Sequence, residues 1–207
     1  MCPLGRGGPP MMIVRQRLRE ELAPLHEGLD VRITDACLLP RADLRRLLAV
    51  HAHAFPPVVS GLQAAGAERL WPGWDGPARL AALSAEAGFG ASRGGASPPE
   101  KFGNDPMAWG GLYALLGSRL GNKVILRRLA EGGEPADSAF LRPGPGDGPE
   151  WRRFLDRLEA ALGPPAALAD ASWRDAVEGA TLVMRRYLDA VERLGDHRSV
   201  RTRESFR

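Results

Sequence analysis

Cysteine is scarce in this chain. Only Cys2 and Cys37 occur, which gives neither a disulfide framework nor a metal-binding spacing and points to a cytoplasmic protein. Lysine is scarcer than its charge suggests, appearing only at 101 and 123, so arginine supplies nearly all of the positive charge. Aromatic residues make up 6% of the chain, and no aromatic stripe interleaves with the arginines. That pattern argues against a nucleic-acid-binding face. No apolar run reaches the roughly 18 residues a membrane span needs. Met1–Met12 has glycine and proline but no apolar core of signal-peptide length, and Met11 and Met12 are alternative starts. There is no period-two alternation that would suggest strands, and no internal repeat. H-E-x-x-H, G-x-S-x-G and phosphate-loop patterns are all missing, which removes the commonest hydrolase and nucleotide-binding readings.

What is present is the make-up of one globular unit. The 207 residues are 44% hydrophobic and 26% charged with a net charge of +3, enough to bury a single core. The expected organisation is a flexible leader at 1–12, a helical domain at 13–195 and a basic, solvated, flexible tail at 196–207. Helical periodicity predicts a first helix over Ile13–Leu29, with Val14, Leu18, Leu22, Leu25 and Leu29 inward. A second should run from Pro40 towards Phe55 and be interrupted at Pro56-Pro57. Further helices are expected at about 78–87, 107–131, 150–162 and 172–194, separated by glycine- and proline-rich stretches at 88–106, 132–149 and 163–165. The fold class that follows is all-α, a single domain of about seven or eight helices.

Two local features suggest chemistry. The stretch Trp109-Gly-Gly-Leu-Tyr-Ala-Leu-Leu-Gly-Ser-Arg-Leu-Gly-Asn122 reads as part of one long helix, yet it carries Gly117 and Gly121. Each costs roughly 1 kcal/mol relative to alanine in a helix interior. Placed four apart, they share a face and open a trough where a bulky ligand, or another helix, can reach the backbone. The other feature is His26, which sits among Leu22, Leu25 and Leu29. An axial histidine opposite a helix that admits close approach is the minimum equipment of a haem pocket. His51 and His53 are two apart and so face different ways, one packed and one exposed, while His197 falls in the tail.

These segments carry a family resemblance. Leu18-Arg-Glu-Glu-Leu-Ala-Pro-Leu-His-Glu-Gly-Leu-Asp30 resembles the haem-ligand segment of bacterial haem oxygenases, and Gly111-Leu-Tyr-Ala-Leu-Leu-Gly-Ser-Arg-Leu-Gly-Asn122 resembles their distal helix. Leu47–Pro57, Phe140-Leu-Arg-Pro143 and Trp151–Glu159 are similar to further family segments, and Ala176–Leu188 fits the last helix in position. The likeness covers about residues 13–194 in consistent order.

The resemblance implies a haem-oxygenase-like fold in which haem is both substrate and cofactor. The ring is opened to biliverdin, with release of carbon monoxide and iron, using oxygen and an external electron donor. Partners would be a ferredoxin- or flavin-type reductase and, where bilin serves as chromophore, a bacteriophytochrome system. No nucleic acid or membrane is expected. His26 would be the proximal iron ligand. Gly117, Ser118 and Gly121 would form the distal, catalytic backbone. Arg19, Tyr113, Asn122 and Arg185, with Arg186 as its alternate, would help to hold the ring and its propionates. The chain departs from the family pattern at Leu22, Pro24, Leu116 and Asn122, where the family has threonine, a non-proline residue, glutamate and glycine or alanine. Those departures suit an alternative: a haem-oxygenase-like protein that binds haem, a tetrapyrrole or a protein partner without turnover.

Overall fold

The structure is a computed structural model and describes residues 13–38, 43–88, 97–133, 137–142, 147–163 and 171–204. The leader expected at 1–12 lies outside the described residues. Helix α1 spans Ile13–Ile33 and ends in a wide π turn at Thr34–Leu38. Then come α2 (Leu44–Ala64), a single turn α3 (Ala67–Leu70), α4 (Gly76–Ala87) and α5 (Asp105–Ser118). A 3-10 turn at Arg119–Gly121 joins α5 to α6 (Asn122–Glu131), and α7 (Asp147–Leu162) and α8 (Ala171–Glu204) complete the chain. No strand occurs among the described residues, and none of their helices is long and apolar enough to cross a membrane.

The helix starts follow from local chemistry. Asp43 caps α2 by accepting the Arg46 amide (2.9 Å), and Asn104 caps α5 by accepting the Met107 amide (3.0 Å). The amide of Asn104 also reaches Asp175 (2.7 Å), fixing the start of α5 to α8. The first turn of α1 is capped from a distance: the Glu159 carboxylate of α7 accepts from the backbone amides of Val14 (3.1 Å) and Arg15 (3.0 Å). A carboxylate there satisfies two orphan donors and suits the positive end of the helix.

Helices α5 and α8 form the centre, with α1 and α2 packed on α8 and α4 on α2. Glycine permits the central contact. A Cβ on Gly110 would lie 1.8 Å from the carbonyl oxygen of Ala176, and one on Gly179 would lie 2.0 Å from that of Met107. Two backbones can approach this closely only where both side chains are missing. The core around them includes Phe55, Leu62, Leu112, Leu115, Phe154 and Ala180, all buried.

Three expectations change. Pro56-Pro57 does not interrupt the second helix, which begins at 44 and runs unbroken to Ala64. The prolines forgo only the amide bonds to the carbonyls of Ala52 and His53, and the run from Leu47 to Leu62 buries a continuous apolar face that outweighs that loss. Pro24 is likewise accommodated within α1, on its exposed side. The helix expected over 107–131 is not continuous but breaks into α5, the 3-10 turn and α6. Helix α8 runs on to Glu204, into the stretch read as a tail.

Candidate functional site

At about 100° per residue, Arg15, Arg19, Leu22, His26 and Asp30 fall on one stripe of α1. Leu22 is buried, but the His26 side chain is 58% exposed, so it is not a packed core histidine. Its Nδ1 lies 3.0 Å from a carboxylate oxygen of Asp30, one turn on. A proton held on Nδ1 towards Asp30 leaves Nε2 with its lone pair free, the form in which imidazole binds a metal.

The same stripe meets α5 at its arginine end. Tyr113 is partly buried, and burial raises its phenol above the usual range, while the charges of Arg15 and Arg19 draw it back down. Both guanidinium groups therefore sit within electrostatic reach of that hydroxyl. The result is a cluster of two cations and a phenol, suited to carboxylates. From Arg19 to His26 is seven residues, about 10 Å along the helix.

The glycine-bearing segment lies against α7, the helix that also packs on α1. A Cβ on Gly117 would come within 3.3 Å of the Trp151 ring of α7. Trp151 lies 5.6 Å from Tyr113 and stacks on Phe154 at 5.4 Å. Gly121 is different, because a Cβ there would meet nothing within 4 Å. Its neighbours Leu120 and Val124 are each 49% exposed, and they are two of the three large hydrophobic residues left exposed among the described residues. An open glycine bordered by exposed apolar side chains is a surface that water satisfies poorly.

The remaining expected residues fall as follows. Ser118 is exposed beside Gly117, and its hydroxyl donates to the Leu115 carbonyl (2.8 Å). Asn122 is buried, and its amide donates to the Leu141 carbonyl (3.0 Å). Arg185 is exposed on α8, and its neighbour Arg186 pairs with Glu100 at 3.3 Å. Leu116 is buried and lines a shallow open groove with Trp71, Arg119, Leu120, Glu150, Trp151 and Phe154.

His51 and His53 divide as expected. His51 is half-buried, bonds the Tyr187 hydroxyl (3.1 Å) and packs edge-on against Phe140, and desolvation pushes its pKa down to about 3. His53 is exposed. No group of three or more possible metal-ligating side chains occurs among the described residues. Sequence reasoning gave no role to Arg15, Asp30 or Trp151. Helical spacing from His26 could have found the first two, whereas nothing in the sequence signals that Trp151 meets Gly117.

No protein-family model matches the chain, and no curated protein matches its sequence. Among solved structures, it resembles the NO- and CO-bound haem oxygenase from Neisseria meningitidis, with a TM-score of 0.69 and 20% identity. The match covers 87% of this chain and 91% of that one. This is the haem oxygenase fold. The described residues share that all-α, single-domain architecture.

Proposed function

We propose that the protein is a haem oxygenase that takes haem as its substrate between α1 and the segment Gly117–Val124. The observation that carries this reading is Gly121. It has right-handed helical dihedrals (φ −75°, ψ −18°) and open space where a side chain would stand. The fold has no use for a glycine there, whereas a flat ligand lying against the backbone does.

The residues at hand fit haem. His26, steadied through Nδ1 by Asp30, offers Nε2 to the iron. Arg15, Arg19 and Tyr113 form the cationic end for the ring carboxylates. Gly117 and Gly121 let the ring approach the main chain, Leu120 and Val124 cover its apolar surface, and the Ser118 hydroxyl stands beside the glycines. Bound haem would supply the oxygen-activating iron, and with oxygen and electrons from a ferredoxin- or flavin-type donor the products would be biliverdin, carbon monoxide and iron. The reading places the enzyme in the cytoplasm, serving iron acquisition or bilin supply to a bacteriophytochrome system.

Leu116 favours a second reading, binding without turnover, because it leaves the distal segment without the carboxylate of the family pattern. One experiment separates the two. Hemin added to the purified protein should produce a Soret band that depends on His26, and a reductant should then convert the complex to a green bilin. A His26-dependent band without bilin supports the second reading, and no Soret shift at all overturns both.

A further inference from the structure

The 3-10 turn Arg119–Gly121 ends on the second glycine of the proposed haem site, yet apolar packing does not hold it. None of its three residues is buried, and 3-10 hydrogen bonds are weaker than those of an α-helix. Two polar anchors outside its own helix hold it instead. At one end Arg119, its side chain only 13% exposed, donates to the Asp75 carboxylate at 2.9 Å. At the other end the buried Asn122 amide donates to the Leu141 carbonyl at 3.0 Å.

Both anchors lead to one strut. Asp75 immediately precedes α4, whereas Glu86 lies in the last turn of α4 and clasps the turn that carries Leu141. Its carboxylate accepts from the Ser138 hydroxyl (2.6 Å) and the Phe140 amide (2.9 Å), and the Ser138 oxygen accepts the Leu141 amide (3.1 Å). Helix α4 has 12 residues and is about 18 Å long, so the glycine segment is tied to both ends of a rigid rod. Sequence spacing conceals this arrangement, because the partners lie 44 and 19 residues away.

We infer that Arg119 and Asn122 are positioning residues that set the height of the Gly117–Gly121 backbone against the bound ring, and so which ring edge is left open to oxidation. This inference rests on the haem reading. A contact that only supports the fold would change stability when lost. A contact that sets backbone height should also change the mobility of the turn and the chemistry read from the ring.

The test uses the full chain as wild type, Asn122→Ala, Arg119→Met, Arg119→Lys and an exposed control, Arg127→Ala. In the ligand-free protein, amide hydrogen exchange at residues 117–122 should rise about tenfold in Asn122→Ala and Arg119→Met, the scale of one lost buried hydrogen bond. Arg119→Lys should recover part of that protection, and Arg127→Ala should leave it unchanged. With hemin, the first two variants should keep the His26-dependent Soret band but show an altered ferric spin-state balance. On reduction they should yield a mixture of bilin isomers where wild type gives one predominant isomer. Wild type failing to bind hemin overturns the haem reading and this inference with it. Wild type binding hemin without forming bilin removes only turnover, and the exchange and spin-state results then decide the inference. Unchanged exchange, or faster exchange with the spectrum and isomers of wild type, overturns the positioning role while leaving the haem reading in place.

Discussion

Replacing Gly121 with alanine should make the protein more stable and its ligand binding worse. In the free protein the new methyl group meets nothing within 4 Å, and the backbone is already right-handed helical, so no strain opposes it. Alanine restricts the unfolded chain and favours helical dihedrals, which should add about 0.5–1 kcal/mol. For a chain of this length that corresponds to a rise of roughly 1–4 °C in melting temperature. In the complex the same methyl group would stand between the main chain and the ring. Either the ring lifts or the segment shifts, at a cost of about 1–3 kcal/mol. Hemin affinity by Soret titration should therefore fall about 5- to 150-fold. Thermal melts of the free protein and titrations of the same preparation measure both quantities. A lower melting temperature would show that the fold needs this glycine, and unchanged affinity would remove the ring from this face. Either result refutes the argument from Gly121.

Gly110→Ala and Gly179→Ala should behave oppositely, each costing about 3 kcal/mol or more in denaturant melts, because a methyl group would run into a backbone carbonyl of the facing helix. His26→Ala should abolish the histidine-ligated spectrum of added hemin, and Asp30→Ala should keep the band but weaken affinity about tenfold through loss of the Nδ1 partner. A double change, Arg15→Ala with Arg19→Ala, should weaken hemin binding more than binding of a ring whose propionates are esterified, as competition titrations would show. His51 carries a pH signature. Its folded pKa of about 3 lies below the unfolded value near 6.5, so the unfolded chain binds the extra proton and stability falls as pH drops from about 6.5 towards 3. The slope should approach 1.4 kcal/mol per pH unit in that window, and His51→Gln should remove this contribution.

The helical architecture was legible because it rests on short-range periodicity. Val14, Leu18 and Leu22 face inward on α1, and Ala176, Ala180, Val183 and Tyr187 on α8, as their spacing predicts. Proline misled the reading of α2. The local rule weighs a missing amide bond and knows nothing of the core that α2 buries along the rest of its length. The break at Arg119–Gly121 went unseen for the converse reason. It is maintained by Asp75 and Leu141, and no window on residues 107–131 contains either partner.

The glycines of α5 and its extension show where the sequence stops being informative. Gly110, Gly117 and Gly121 have the same propensity cost and fall within one helical pattern, so sequence assigns them all to packing or all to a ligand. Their surroundings divide them by what a Cβ would touch: a backbone carbonyl at Gly110, a movable indole at Gly117 and open space at Gly121. The first is explained by the fold alone, because α5 and α8 could not meet without it. The second is shared between the fold and the site. The third is unexplained by any contact among the described residues. A residue that lowers stability without serving the fold needs a cause outside the folded chain, and the two exposed apolar side chains beside Gly121 indicate what kind. The partner should be flat enough to lie on bare backbone and apolar over most of its surface. It should also be acidic where it meets Arg15, Arg19 and Tyr113, a description that fits haem more closely than it fits another helix.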